Sequence, residues 1–220
     1  MPDNTVRAAY TAVNQLYIDL FGSPTDLDPA HTAFALRHLT EGPVLDLGCG
    51  PGRFTKVLTD AGTTTTGIDL VPEFITHART TYPTLDFELG SLRTLNTPPE
   101  SVAGILAWFS LIHIPPPELP AVLTEFHRVL RPGGHLVLGF FDTEDEVEEF
   151  PHKVIPAYRW PVDELAYLLS IAGFTELERF QHPASADTRR HAALALLRSQ
   201  EVRRTDLERL SRPGTPQCRR

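Results

Sequence analysis

The chain has 220 residues, 41% of them hydrophobic, and a formal net charge of −8. This length and apolar content suit a single folded unit with one core. The acidic excess disfavours nucleic acid and anionic membrane surfaces as partners, because both would repel the chain. The first residues lack a basic segment followed by an apolar one, and the longest apolar stretch, residues 102–114, is too short to cross a membrane. We expect a cytoplasmic protein that is monomeric or homodimeric.

Cysteine and histidine patterns give no sign of a disulfide or a metal centre. Cys49 and Cys218 are the two cysteines of the sequence, and their placement implies no disulfide framework. The nine histidines show no spacing typical of metal ligands.

Two helices are predicted first, over residues 6–20 and 30–39, ahead of a region where short apolar runs alternate with helical segments. Such alternation indicates an α/β fold. The predicted elements of this region are strands over 43–47, 63–69, 86–90, 104–110 and 135–141, and helices over 54–60, 73–82, 119–130 and 163–172.

Two further strands are predicted over residues 175–181 and 191–197. The linker between them, about ten residues long, is too short for a crossover helix, so this last pair should be antiparallel. The predicted sheet therefore has seven strands, six parallel and one reversed. Residues 199–220 are rich in arginine and are expected to form a flexible tail.

The segment VLDLGCGPGR, residues 44–53, is an apolar strand that runs into three glycines, Gly48, Gly50 and Gly52. A strand that ends in such a turn and feeds a helix points backbone N–H groups at a ligand, as in nucleotide sites. In a dinucleotide-binding fingerprint a third glycine would stand where this chain has Arg53. This difference disfavours NAD as the ligand.

Two acidic residues narrow the choice of ligand. Asp46 precedes Gly48 by two residues, where a negative charge disfavours a diphosphate and favours a cationic amino group. Asp69 ends the second predicted strand, where a carboxylate can bind both hydroxyls of a ribose. The predicted ligand is thus a nucleoside with a positively charged, amino-acid-like group, and S-adenosylmethionine fits that description.

Four segments carry a family resemblance: VLDLGCGPGRFT, GIDLVPEFITHAR, LAWFSLIH and FHRVLRPGGHLVLGF. With them, residues 40–198 resemble the class I S-adenosylmethionine-dependent methyltransferases that act on small molecules. The resemblance implies a Rossmann-like three-layer sandwich with strand order 3-2-1-4-5-7-6 and strand 7 antiparallel. It also implies three parts: an N-terminal helical lid (1–40), a cofactor-binding core (41–198) and the tail (199–220).

The resemblance assigns roles to residues near the cofactor. The glycines lie against it, Asp69 holds the ribose and Leu70 packs on the adenine. At the end of the third strand the family often has an acid for the adenine amino group, where this chain has Ser91 and Leu92. The complete set of predicted cofactor-binding residues is Asp46, Gly48, Cys49, Gly50, Gly52, Asp69, Leu70, Ser91, Leu92, Trp108 and Tyr17.

Several of these residues also have a simpler structural interpretation. Cys49 is expected to be a small residue that fits between the glycines. Trp108 and Phe109 could face the sulfonium by a cation–π contact or belong to the core. Tyr10 and Tyr17 share a predicted helix face, so that Tyr17 could reach the cofactor's carboxylate or serve in plain helix packing.

On the acceptor side, His113 is the candidate general base, since an imidazole titrates in the right range. A structural histidine is the alternative. His152, Tyr158, Arg159 and Trp160 are candidates for lining the acceptor pocket or for covering the sheet edge. The acidic residues between 142 and 149 should form a solvated face, or favour cationic or neutral acceptors if they border the pocket.

The predicted function is transfer of a methyl group from S-adenosylmethionine to oxygen or nitrogen of a small-molecule acceptor. Two other functions stay open on the sequence alone. One is a non-catalytic subunit that retains the cofactor as a ligand, and the other is an NAD-dependent oxidoreductase.

Overall fold

The computed structural model describes residues 2–185 and 188–199, so the predicted tail, apart from Ser199, lies outside the described residues. The strands are β1 Val44–Leu47, β2 Thr65–Asp69, β3 Asp86–Leu89, β4 Val102–Trp108, β5 Leu130–Phe141, β6 Glu148–Phe150, β7 Ala157–Arg159, β8 Phe174–His182 and β9 His191–Arg198. The helices are α1 Asp3–Ala12, α2 Asn14–Phe21, α3 Pro29–His38, α4 Arg53–Asp60, α5 Pro72–Thr81, α6 Leu119–Val129 and α7 Val162–Ile171.

The main sheet has seven strands in the order β3-β2-β1-β4-β5-β9-β8. β9 is antiparallel to both of its neighbours, β5 and β8, and the pairs formed by β1 to β5 are parallel. The predicted strand order and reversed last strand are confirmed, with β8 and β9 as the sixth and seventh strands of the sheet. As a consequence, the start of β9 lies at the same sheet edge as the ends of β1, β4 and β5.

Helices cover both faces of this sheet and make three layers. On one face, α6 and α7 pack against alternate residues of β1, β4, β5 and β9 and form the larger core. On the other face, Phe34 and Leu39 from the region of α3 and Phe54 and Leu58 of α4 pack on the intervening strand residues. Strands buried on both faces explain the continuous apolar runs of the sequence.

The prediction of one continuous helix over residues 6–20 is wrong. The segment forms two helices with a break at Val13. The backbone there leaves the helical region, and the Asn14 side chain donates a hydrogen bond to the Thr11 carbonyl at 2.6 Å. Side-chain amides that bond a nearby carbonyl compete with the helical hydrogen bonds. Tyr10 and Tyr17 consequently lie on different helices, although their rings still touch.

Two strand boundaries also differ from the prediction. β4 ends at Trp108 rather than residue 110, because Phe109 adopts a left-handed φ of 54°. β5 begins at Leu130 rather than 135. Helix α6 ends at Val129, one residue before the predicted end, and the following RPGG segment runs along the sheet, where the register against β4 shifts.

The β6–β7 hairpin was not predicted. It includes some of the acidic residues between 142 and 149 and two of the candidate pocket residues, Tyr158 and Arg159. Its strands have three residues each, too few for an alternating pattern to be recognised. In the parts of the chain that the structure describes, no helix combines the length and apolar character needed to cross a membrane.

The packing predicts that stability depends on α6. Leu123 is 1% exposed in the larger core, so Leu123→Ala should lower the free energy of unfolding by about 2–5 kcal/mol. Leu16→Ala, at a helix position that is 60% exposed, is the control and should change it by less than about 0.5 kcal/mol. Urea unfolding measures both. Equal losses in the two variants would contradict this account of the core.

Candidate active site

The turn after β1 has almost no room for side chains. Gly48, Gly50 and Gly52 have φ values of 73°, 54° and 91°, a region that favours glycine. A Cβ on Gly48 would lie 2.4 Å from the Cβ of Ser110, and one on Gly52 would lie 2.8 Å from the Phe87 ring. Gly50 differs, because a Cβ there would meet only the Tyr17 ring, at 3.8 Å. Neighbouring side chains thus leave no room for a Cβ at Gly48 or Gly52. At Gly50 there is room, and the exposed main chain there faces the Tyr17 ring.

Asp69 fixes this turn from the end of β2. Its Oδ2 accepts a hydrogen bond from the Gly50 N–H and its Oδ1 one from the Val71 N–H, both at 2.8 Å. A carboxylate oxygen has more than one lone pair, so each oxygen can accept a further hydrogen bond. Burial raises the pKa of Asp69 to about 6.

Asp46 is the second buried acid beside the turn. It is 2% exposed, and its Oδ2 accepts a hydrogen bond from the Thr55 hydroxyl at 2.7 Å. Burial raises its pKa to about 7, with the nearby Asp69 adding to the rise. Within residues 2–185 and 188–199, neither carboxylate forms an ion pair. Two buried acids next to bare main chain make this place suited to a cation.

The end of β4 completes the pocket wall. Phe109 holds its left-handed φ while its N–H bonds the Gly139 carbonyl at 2.8 Å. A non-glycine residue in that region costs roughly 1–3 kcal/mol. The turn brings Ser110 against Gly48, and the Ser110 hydroxyl is buried without a hydrogen-bond partner in the described chain. This hydroxyl is available to a ligand that lies on the turn.

The N-terminal helices close the cleft. Tyr17 and Phe21 of α2 line it together with Asp46, Gly50 and Trp108. Tyr10 of α1 packs edge-on against Tyr17, with ring centres 5.5 Å apart. The free space is about 40 Å³, whereas sites for small molecules enclose about 300–1,000 Å³. A nucleoside can therefore enter only if α2 moves away from the turn.

Comparison with known proteins finds a matching family model and similar sequences. Residues 44–134 match the family model described as "Methyltransferase domain". The chain is 36% identical over 117 residues to trans-aconitate 2-methyltransferase of Rhizobium meliloti, a match that covers 49% of this chain and 42% of that protein. Over residues 44–134 this chain is therefore similar to class I S-adenosylmethionine-dependent methyltransferases.

Two further relatives show how far the likeness extends. Malonyl-[acyl-carrier protein] O-methyltransferase of Serratia marcescens is 34% identical over 91 residues, which cover 41% of this chain and 35% of that protein. The chain therefore matches less than half the length of these two curated relatives. A crystal structure of Burkholderia thailandensis 1,6-didemethyltoxoflavin-N1-methyltransferase has a TM-score of 0.72 at 22% identity and covers 90% of this chain and 87% of that chain. That last likeness concerns the fold alone.

The adenine side of the predicted cofactor site is less well defined. Leu70 follows Asp69 and is half-buried. The Ser91 hydroxyl accepts a hydrogen bond from the Arg93 N–H at 3.1 Å, and Leu92 is buried in the larger core. Cys49 is buried against the small cluster around Phe87, where burial raises the pKa of its thiol, as expected of a residue that only fills space. Their cofactor contacts remain predictions.

His113 lies between the N-terminal helices and the hairpin. Its Nδ1 is 2.9 Å from the Pro156 carbonyl, which can only accept, so Nδ1 carries the proton. Its Nε2 then accepts the hydrogen bond from the Tyr10 hydroxyl at 2.9 Å. The ring is 5% exposed, and burial lowers its pKa. The predicted general base thus has both nitrogens in use while α1 is docked.

The hairpin residues and the acidic segment mainly contact other parts of the protein. Trp160 is buried in the larger core, and His152 packs near His113 with ring centres 5.5 Å apart. The acids are largely paired: Asp142 and Glu144 with Arg190, Glu148 with Arg159, and Glu149 with the Tyr158 hydroxyl. The segment therefore presents less negative charge to the pocket than its composition suggests.

Phe21, Arg53 and Phe54 line the cleft but were not among the predicted site residues. The Arg53 guanidinium lies over the Phe21 ring at 5.4 Å, so the side chain that replaces the fingerprint glycine helps to seat α2. The position of Arg53 and Phe54 at the start of the helix after the glycines was the signal that could have identified them.

The raised pKa of Asp46 indicates that its ionised carboxylate destabilises the folded state. The folded state holds this proton more tightly than the unfolded chain, so the free energy of unfolding falls as pH rises from 3.8 to about 7. Asp46→Asn keeps an acceptor for Thr55 and should stabilise the protein by roughly 1–4 kcal/mol at about pH 8, and by little near pH 4.

Urea unfolding at the two pH values measures this difference. Asp60→Asn, which changes an exposed carboxylate paired with Lys56, is the control and should give no gain at the higher pH. A loss of stability in Asp46→Asn at the higher pH would show that the carboxylate is held by favourable interactions and contradict the account.

Proposed function

We propose that this chain is a methyltransferase that binds S-adenosylmethionine in the cleft after β1 and transfers its methyl group to oxygen or nitrogen of a small molecule. One observation carries the proposal: Asp46 and Asp69 are buried beside the bare Gly50 main chain, and neither forms an ion pair among the described residues, although the Arg53 guanidinium lines the same cleft. A phosphate-free, positively charged nucleoside complements that arrangement.

The residues present fit this cofactor. The Asp69 oxygens have lone pairs left for a ribose diol, as in other nucleoside sites of such sheets. The Asp46 carboxylate suits an ammonium group, and the unpartnered Ser110 hydroxyl beside Gly48 suits a polar group of the amino-acid end. S-adenosylmethionine supplies an electrophilic methyl group on sulfur. A diphosphate would face the same two acids, which disfavours NAD.

The chain's own contribution to the reaction is then mainly positioning. Holding an acceptor in line with a methyl group can lower the barrier by about 7–11 kcal/mol without a covalent intermediate. The acceptor would lie at the ends of β4, β5 and the start of β9, next to Trp108 and Phe109. The two curated relatives described above are named for different acceptors, trans-aconitate and malonyl-[acyl-carrier protein], so the likeness does not fix the acceptor.

The first test is calorimetric titration with S-adenosylhomocysteine and, separately, with NADH. We expect S-adenosylhomocysteine to bind and NADH not to bind. Asp69→Asn should weaken S-adenosylhomocysteine at least about tenfold, because it removes a charge-assisted acceptor from the ribose. Asp86→Asn, an exposed carboxylate at the start of β3, is the matched control. Binding of NADH alone would support the oxidoreductase instead.

Release of S-adenosylhomocysteine from S-adenosylmethionine over a panel of phenols, amines and carboxylates separates the enzyme from a non-catalytic subunit. Tight cofactor binding with no turnover of any acceptor would favour the subunit.

For the N-terminal helices we propose a lid that His113 holds shut through Tyr10. His113→Ala and Tyr10→Phe should then both strengthen S-adenosylhomocysteine binding, because each removes the same hydrogen bond that holds α1 against the core in the arrangement that excludes the ligand. That bond is worth about 0.5–1.5 kcal/mol, and the double variant should gain no more affinity than either single one. Calorimetry measures all three. Unchanged affinity with lower turnover in His113→Ala would instead support the general-base prediction for this residue.

A further inference from the structure

A pair of histidines lies at the acceptor side of the cleft, outside the set predicted from the sequence. His31 on α3 and His191 at the start of β9 have their Nε2 atoms 2.8 Å apart, although they are 160 residues apart in the chain. His191 is buried, and His31 is partly exposed. The antiparallel course of β9 brings them together, since it sets the start of that strand beside the end of β5.

The hydrogen bonds fix which nitrogens carry protons. His191 Nδ1 lies 2.9 Å from the Arg189 carbonyl, which can only accept, so this nitrogen is protonated. Nε2 of neutral His191 is then an acceptor, and His31 must donate to it from its own Nε2. Nδ1 of His31 therefore carries a lone pair instead of a proton. This nitrogen has no hydrogen-bond partner among the residues that the structure describes.

The pair adjoins the proposed methyl-transfer position. The His31 ring centre is 5.1 Å from that of Trp108, and the His191 ring centre is 5.9 Å from that of Phe109. Trp108 itself lines the cleft with Gly48 and Gly50. An acceptor held next to Trp108 would therefore lie close to the His31 ring.

The charges around His31 come from four elements. They are His191 on β9, His182 at the end of β8, Asp28 before α3 and Arg53 on α4. His182 stacks on His191 at 4.8 Å, and its Nδ1 is bonded to the Pro183 carbonyl. Burial and the neighbouring His191 lower the pKa of His31. This direction favours the neutral imidazole, the state a general base needs.

We propose that His31 is the catalytic general base, that His191 is its positioning residue, and that the acceptor is a hydroxyl compound rather than a carboxylate. This proposal rests on the proposed methyltransferase function. A carboxylate is already ionised at neutral pH and has no proton for His31 to accept.

The proposed step balances in atoms and electrons. As the acceptor oxygen forms its bond to the methyl carbon, the carbon–sulfur bond breaks and its electron pair stays on sulfur. The proton of the acceptor hydroxyl passes to Nδ1 of His31. The resulting imidazolium keeps its Nε2 hydrogen bond to His191, which stabilises the positive charge and holds the ring in place.

The first arm of the test needs no acceptor. Long-range proton–nitrogen NMR correlation spectra of the full chain with S-adenosylhomocysteine bound report the tautomer of each histidine. We expect His191 protonated at Nδ1 and His31 at Nε2, and we expect His191→Phe to leave His31 as a mixture of tautomers. A His31 ring that is unaffected by this substitution, or protonated at Nδ1 in the wild type, overturns the proposal.

The second arm uses phenols of graded acidity, from 4-methylphenol to 4-nitrophenol, with benzoate beside them. His31→Gln should lower turnover of 4-methylphenol by at least about 100-fold at neutral pH, in the range typical of lost general-base catalysis. The loss should shrink as the phenol becomes more acidic, and as the pH rises toward the pKa of the phenol itself. His77→Gln on α5, a half-buried histidine that does not line the cleft, is the matched control.

His191→Phe should lower kcat more than it changes KM and should shift the pH profile. An equal loss on all phenols, no loss, or turnover confined to benzoate overturns the proposal. Failure of the proposed function appears differently, as a chain that does not bind S-adenosylhomocysteine in calorimetry.

Discussion

The lack of space at the turn after β1 is the constraint on which the site depends. Ser110, Gly48 and the strained Phe109 lie so close together that neither the β1 turn nor the β4 turn can change without the other. Asp69 then ties Gly50 to the end of β2. The ends of β1, β2 and β4 are thereby held in fixed positions relative to one another, as a site that works by positioning requires.

The same surface contains two buried acids, Asp46 and Asp69, that form no ion pair among the described residues. Asp46 and Asp69 are buried with raised pKa values, a cost that a sequence selected only for stability would avoid. A cationic ligand removes that cost when it binds. The N-terminal helices cover the acids without supplying a cation: Tyr17 and Phe21 bring aromatic rings to the cleft. The site thus combines a rigid turn after β1 with N-terminal helices that have to move before a ligand can bind.

The sheet and much of the cofactor side could be predicted because their signals are local in the sequence. Strands buried on both faces appear as apolar runs, and the glycines and acids follow directly from the strands that position them. The break at Val13 and the three-residue strands of the hairpin were missed because short segments carry too little periodicity. The His31–His191 pair had no local signal, since its geometry exists only after β9 has paired with β5.

His113 illustrates a different limit. Its place after β4 was predicted from the sequence, but its partners come from α1 and from the hairpin, two segments distant in the chain. A residue type that suits proton transfer can equally hold elements together, and only the neighbours distinguish the two roles. His31 has the free nitrogen that His113 lacks in the closed arrangement.

The most direct test of the central claim is a crystal structure of the full chain grown with S-adenosylhomocysteine. The account predicts that the ligand lies on the Gly50 main chain, with both ribose hydroxyls on Asp69 and the ammonium group toward Asp46, and that α2 has moved off the turn. A structure in which Tyr17 still covers Gly50 while the ligand occupies another place would contradict it.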